Sequence, residues 1–185
     1  MKNAELLRRA VHLLYPISLA YYLFPPDSWI GVASEILVVV VVVGFLVFEA
    51  YRLTRKVELP MIRHYERRRA GAYIFGIVGI GLGLLFFPMP ITIVAVCGMA
   101  WIDPLCHATK KRSLYPVVPL IAYFFLALAL LFVFSNYSAA FAAALAVVGT
   151  VSAIAAERPS LKMIDDDFTM VIVPLLVLGA IDLLF

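Results

Sequence analysis

Four groups of ionisable residues interrupt an otherwise apolar chain, and each borders a hydrophobic stretch. Asp103 is followed by His107, Lys110, Lys111, Arg112 and Ser113. A carboxylate can ligate a hard cation while neighbouring cations hold phosphate oxygens, so this order suits a metal–phosphate complex. The plainer alternative is Asp103 paired with an arginine as structural glue. The second group is Glu157 with the run Asp165, Asp166 and Asp167. Adjacent carboxylates repel: at ~4 Å and an effective dielectric near ~20, a close pair costs on the order of 4 kcal/mol. Hydration relieves that cost in a solvated acidic loop. Here the run abuts an apolar segment at Phe168, and a divalent cation would offset the repulsion. Carboxylates plus substrate phosphates are a typical magnesium environment. Asp103, Glu157, Asp165 and Asp166 are therefore candidate metal ligands.

The third group is Arg8, Arg9 and His12. Arg8 and His12 stand four apart and share a helical face, although a topology anchor with a snorkelling histidine would read the same. The fourth contains Arg52, Arg55, Lys56, Arg63, His64, Glu66, Arg67, Arg68 and Arg69. Such clusters are commonly orientation signals or anionic-lipid patches. Together the four groups supply cations for phosphates and oxygens for magnesium. Phosphoryl or nucleotidyl transfer needs little more, because its catalysis is mainly positioning and charge stabilisation. No Ser-His-Asp arrangement and no zinc motif stands out, and Cys97 and Cys106 read as small buried residues. A transport relay would need charges through the helix middles. Only Glu35 and Asp182, toward the other side, come near that.

The elements that must position these groups are membrane helices. Of 185 residues, 64% are hydrophobic and 15% charged, too few polar groups to solvate the exterior of a soluble domain. Spans of roughly 20 apolar residues are expected near residues 10–24, 29–48, 71–87, 115–134, 137–156 and 168–185. A seventh segment, Ile91 to Ile102, is short; it either continues through Asp103 and Pro104 or breaks part-way. The connections 24–28, 88–90 and 135–138 lack Lys and Arg, whereas the N-terminus, 51–70, 104–114 and 157–167 hold all fifteen. That is the positive-inside pattern. The expectation is an all-α, polytopic transmembrane bundle of about seven helices, one domain over residues 1–185. Its N-terminus would be cytoplasmic and its C-terminus outside. Small residues suggest residues 71–87 and 137–156 as the central helices, and the run Val38–Val43 as lipid-facing.

Taken in order, these residues resemble the CTP-using lipid kinases, specifically the polyprenol (dolichol) kinase branch, related to phytol and yeast-type diacylglycerol kinases. Arg8-Arg9-Ala10-Val11-His12 looks like that family's basic–His opening of the first helix. Arg63-His64-Tyr65-Glu66-Arg67 before Gly71-Ala72-Tyr73 is similar to its Arg-x-x-Glu segment leading into a Gly-x-Tyr helix start. Asp103-Pro104 falls where the family has a Gly-Asp, and Arg112-Ser113-Leu114 resembles its Lys-Ser-x motif. Glu157 followed by Ile164-Asp165-Asp166-Asp167-Phe168-Thr169 resembles a Glu and then an Asp-Asp-Asn-Leu-Thr stretch.

The resemblance implies transfer of the terminal phosphoryl group of CTP to a long-chain isoprenoid alcohol, with Mg2+, in the cell membrane at its cytoplasmic face. Asp103 and Asp166 would be catalytic, with Asp103, Glu157, Asp165 and Asp166 on the metal. Arg67, Lys111, Arg112 and Ser113 would meet the nucleotide, and Arg9, His12, Arg63 and Glu66 would complete the site. The expected partners are the lipid alcohol, the nucleotide triphosphate and the membrane; a homodimer is compatible, and no nucleic acid is expected. Ile102 stands in place of the family's Gly, Tyr115-Pro116 in place of Glu-Gly, and Asp167 in place of Asn. Two alternatives stay open: a membrane cytidylyltransferase forming a CDP-lipid, and a catalytically degenerate lipid-binding homologue.

Overall fold

The structure is a computed structural model that describes residues 7, 10–23, 33–59, 62, 64–157 and 165–184. Among the described residues the chain is all-helical. The seven helices are α1 (Ala10–Leu23), α2 (Ser34–Arg55), α3 (Ala72–Phe86), α4 (Met89–Lys110), α5 (Val117–Phe134), α6 (Ala139–Glu157) and α7 (Asp166–Asp182). Helix α1 tightens to 3-10 geometry over Tyr15–Leu23. A further 3-10 turn, His64–Arg68, lies between α2 and α3. Four helices, α2, α4, α5 and α6, are long and apolar enough to cross a membrane.

The centre of the bundle is α4, which corrects the expectation that α3 and α6 are central. Its apolar window is 67% buried, against 39% for α6 and 11% for α2. The reason lies in residues 91–100, all of them buried: the run is apolar except for Thr92, whose hydroxyl donates to the Gly83 carbonyl, so it has no polar stripe to turn outward. Gly98 lets α5 come close, since a Cβ there would run into the Tyr123 ring. The glycines of α3 do serve helix approach, as the sequence suggests. Gly79 faces Val171 and Gly83 faces Leu175, both on α7. On α2, Val39, Val40, Val41 and Val43 are exposed, as expected for a lipid-facing run.

Two helices run further than the apolar spans alone indicate. Helix α4 continues through Asp103 and Pro104 to Lys110. Proline has no N–H, so the Ala100 carbonyl loses its intrahelical donor; the preceding carbonyl, Met99, lies 3.0 Å from His12 Nε2. Beyond the proline, Thr109 Oγ1 donates to the Leu105 carbonyl at 2.7 Å. Helix α2 passes residue 48 and ends at Arg55. Lys56 caps it in the left-handed conformation, φ 54°, donating its N–H to Arg52. The alternating path brings the starts of α1, α3, α5 and α7 and the ends of α2, α4 and α6 to one end of the bundle.

Candidate active site

Asp103 is where that end converges. It shares a face of α4 with His107, four residues on, and its Oδ1 lies 3.6 Å from His107 Nδ1. Glu157, the last residue of α6, and Asp166, the first of α7, complete a group with these two. One ligand atom from each of the four lies within 4.8 Å of the others. A second group, His12, Asp103 and Asp167, meets the same criterion and shares Asp103 with the first. Three separate segments therefore deliver carboxylates to one place. Asp103 Oδ1 is buried and has no hydrogen-bond donor among the described residues.

His12 is buried between two acids, with Nε2 3.7 Å from Asp103 Oδ2 and Nδ1 3.8 Å from Asp167 Oδ2. Because a carbonyl only accepts, the Met99 oxygen fixes a proton on Nε2. A cavity of about 20 Å³, room for about one water, lies beside this histidine. Tyr15, Glu66, Tyr73 and Asp167 line it too.

The acid triplet has a local structural basis as well. Asp165 caps α7, its Oδ1 accepting the Asp167 N–H at 3.3 Å. Asp166 and Asp167 fill the first turn, where the helix dipole favours negative charge. The helical turn then sends the side chains different ways. Asp167 is buried toward His12, whereas Asp166 joins Asp103, His107 and Glu157. Glu157 is itself engaged: Oε1 accepts from Lys110 Nζ at 2.5 Å and Oε2 from the Tyr115 hydroxyl at 2.7 Å. Lys110 also sits over the Tyr115 ring, 5.2 Å from its centroid.

Arg52 departs from its place in the basic cluster. It is 1% exposed and forms a buried pair with Glu49, at 2.6 Å from Nε and 2.7 Å from Nη2. Nη2 also donates to the carbonyls of Glu66 at 3.3 Å and Arg69 at 2.7 Å. Glu49 in turn accepts the Gly71 N–H at 2.7 Å and the Tyr73 hydroxyl at 2.5 Å. The pair clamps the end of α2 to the segment that carries Glu66 and opens α3.

Among the residues expected from sequence, the structure gathers Asp103, Glu157, Asp165, Asp166 and His12, with Glu66 on the adjoining cavity. Arg67 is not among them: it makes an exposed pair with Glu58 at 3.0 Å. Lys111, Arg112 and Ser113 form the exposed turn after α4, with Ser113 at φ 58°. Their side chains make no hydrogen bond or ion pair among the described residues. Arg9 and Arg63 lie outside the described residues. Asp167, His107 and Lys110, which the sequence groups contain without a specific role, are all present at the site. The expected residue set omitted Glu49, whose signal was its i,i+3 spacing from Arg52 once α2 is allowed to run on. Comparison with family models, with curated proteins and with solved structures gives no match for this chain.

Proposed function

We propose that the chain is a CTP-dependent kinase of a long-chain isoprenoid alcohol, working with Mg2+ at the cytoplasmic face of a membrane. The observation that carries this reading is the meeting of Asp103, His107, Glu157 and Asp166 within 4.8 Å, at the bundle end that also carries Lys110, Lys111 and Arg112. The carboxylates of the set fit a hard divalent cation, and the buried Oδ1 of Asp103, with no hydrogen-bond donor among the described residues, is the kind of oxygen such an ion satisfies. Asp103 and Asp166 would be its main ligands. Asp165 is also a cap, and Glu157 chiefly holds Lys110. When bound, the cation neutralises charge on the phosphate oxygens.

The remaining chemistry belongs to side chains. Lys110, fixed by Glu157 and Tyr115, presents an ammonium beside the carboxylates, and Lys111 and Arg112 follow it toward the triphosphate. The alcohol oxygen attacks the terminal phosphorus; its O–H proton goes to an aspartate, and the bond from that phosphorus to CDP breaks. Asp103 is the acceptor through Oδ2, the oxygen turned toward His12, while Oδ1 is left for the cation. His12, with Nε2 held by Met99, orients Asp103 and Asp167 from the side. The basic loops support the cytoplasmic orientation.

The test is purified protein in detergent with Mg2+, either a polyprenol or a polyprenyl phosphate, and CTP labelled at either the terminal or the first phosphorus. A lipid carrying the terminal label, with CDP released, is the expected result. Pyrophosphate release, with the first phosphorus retained on a lipid phosphate acceptor, would replace the kinase with a cytidylyltransferase. No lipid product from any nucleoside triphosphate across several alcohols would end the enzyme reading.

A further inference from the structure

A second cavity, about 340 Å³ in volume, runs as a groove between α1, α2 and α3. Its walls are apolar: Leu37, Val38 and Val41 from α2 face Ile77 and Leu84 from α3. The Ser18 hydroxyl on the α1 side is turned into its own backbone, donating to the Tyr15 carbonyl at 2.7 Å. One residue, Tyr15, lines both this groove and the small polar cavity beside His12, Glu66 and Asp167. Gly76 makes room for it, since a Cβ there would lie 3.1 Å from the Tyr15 hydroxyl.

We propose that this groove holds the first part of the alcohol's hydrocarbon chain, with Tyr15 marking where chain gives way to hydroxyl. The head-group half of this inference rests on the lipid-kinase reading; the chain half rests on the groove alone. A molecule that fills both cavities must be apolar along its length and polar at one tip. The groove, about 340 Å³ against about 20 Å³ for the polar cavity, has room for a stretch of chain and not merely for a small group. The rest of the chain leaves sideways. Val41 lines the groove and is 54% exposed, so the wall there opens toward the lipid-facing side of α2. The polar tip then reaches the His12–Asp167 cavity, one residue away from Asp103.

The experiment uses the full chain in detergent, without nucleotide. The probe is a polyprenol bearing a photoreactive diazirine in the part of the chain nearest the hydroxyl. Crosslinks are expected at Leu37, Val41 and Ile77, competed by unlabelled polyprenol and not by the same amount of phosphatidylcholine. Val41→Trp should cut labelling by about fivefold or more. Val40→Trp, on the same helix but off the groove, should leave it unchanged, and unaltered melting temperatures confirm that both variants fold. Labelling spread over the outer face of α5, equal loss in both variants, or equal displacement by phosphatidylcholine would each overturn the groove. Because labelling needs no turnover, specific labelling without a phosphorylated product would count against the kinase and leave the groove standing.

Discussion

Replacing Glu49 with glutamine removes one of two carboxylate oxygens, each of which accepts two hydrogen bonds. Oε1 serves the Gly71 N–H and Arg52 Nη2; Oε2 serves Arg52 Nε and the Tyr73 hydroxyl. Whichever oxygen becomes an amide nitrogen, two buried donors lose their acceptor. A lost acceptor costs about 1–3 kcal/mol per buried group. Breaking a buried ion pair by removing one partner costs about 3–5 kcal/mol. The two routes describe the same loss and meet near ~4 kcal/mol. For a chain of this size that lowers the melting temperature by roughly 8–16 °C. Thermal unfolding in detergent measures the shift. Limited proteolysis should also reveal easier cutting around Glu66 to Gly71, the backbone that the clamp holds. The double variant Glu49→Leu/Arg52→Met should recover most of the loss, because an apolar pair of similar volume carries no desolvation cost. A single-variant shift under about 3 °C, or a double variant no better than the single, would refute the clamp.

Asp166→Asn should lower phosphoryl transfer by about a hundredfold or more while leaving the melting temperature within a few degrees. Full activity in that variant would remove Asp166 from the metal. Gly98→Ala should destabilise by about 1–3 kcal/mol through overpacking, because its Cβ meets the Tyr123 ring; Tyr123→Phe in addition should not restore it, since ring carbons lie as near as the hydroxyl. At the opposite end of the bundle, the Tyr137 hydroxyl donates to Asp182. Burial first, and then that bond, push the phenol from 10.0 up to about 12. A raised folded-state value means stability is present below pH ~10 and is lost as pH rises toward ~12. Melting curves over that window should fall more steeply for the parent than for Tyr137→Phe, and parallel curves would contradict the assignment.

The membrane-helix pattern was legible residue by residue. Apolar runs and loops sorted by Lys and Arg are local properties that need no knowledge of packing, although among the described residues four helices, not every expected span, are long enough to cross a membrane. The helix breaks near residues 87 and 135–138 fall where the sequence placed them. The acidic stretch opening the last helix was equally plain, because capping and dipole effects act within one turn. The ends of α2 and α4 were not. Glu49, Arg52, Asp103 and Pro104 look like breakers when counted singly; Glu49 and Arg52 neutralise each other within α2, while Asp103 meets His12 from α1.

The sequence by itself determined the all-helical class, the apolar spans and the short inventory of groups able to do chemistry. Only the tertiary structure decided how the inventory divides. Arg52 became a buried clamp and Arg67 an exposed pair, while His12, Asp103, Asp166 and Glu157 came together at one end of the bundle. The physical reason is range. Hydropathy and helix capping act over a few neighbours along the chain, whereas a carboxylate's role depends on which ammonium, imidazole or carbonyl stands within about 4 Å. Residues 87 to 155 positions away supply those neighbours for His12, and no local pattern specifies them.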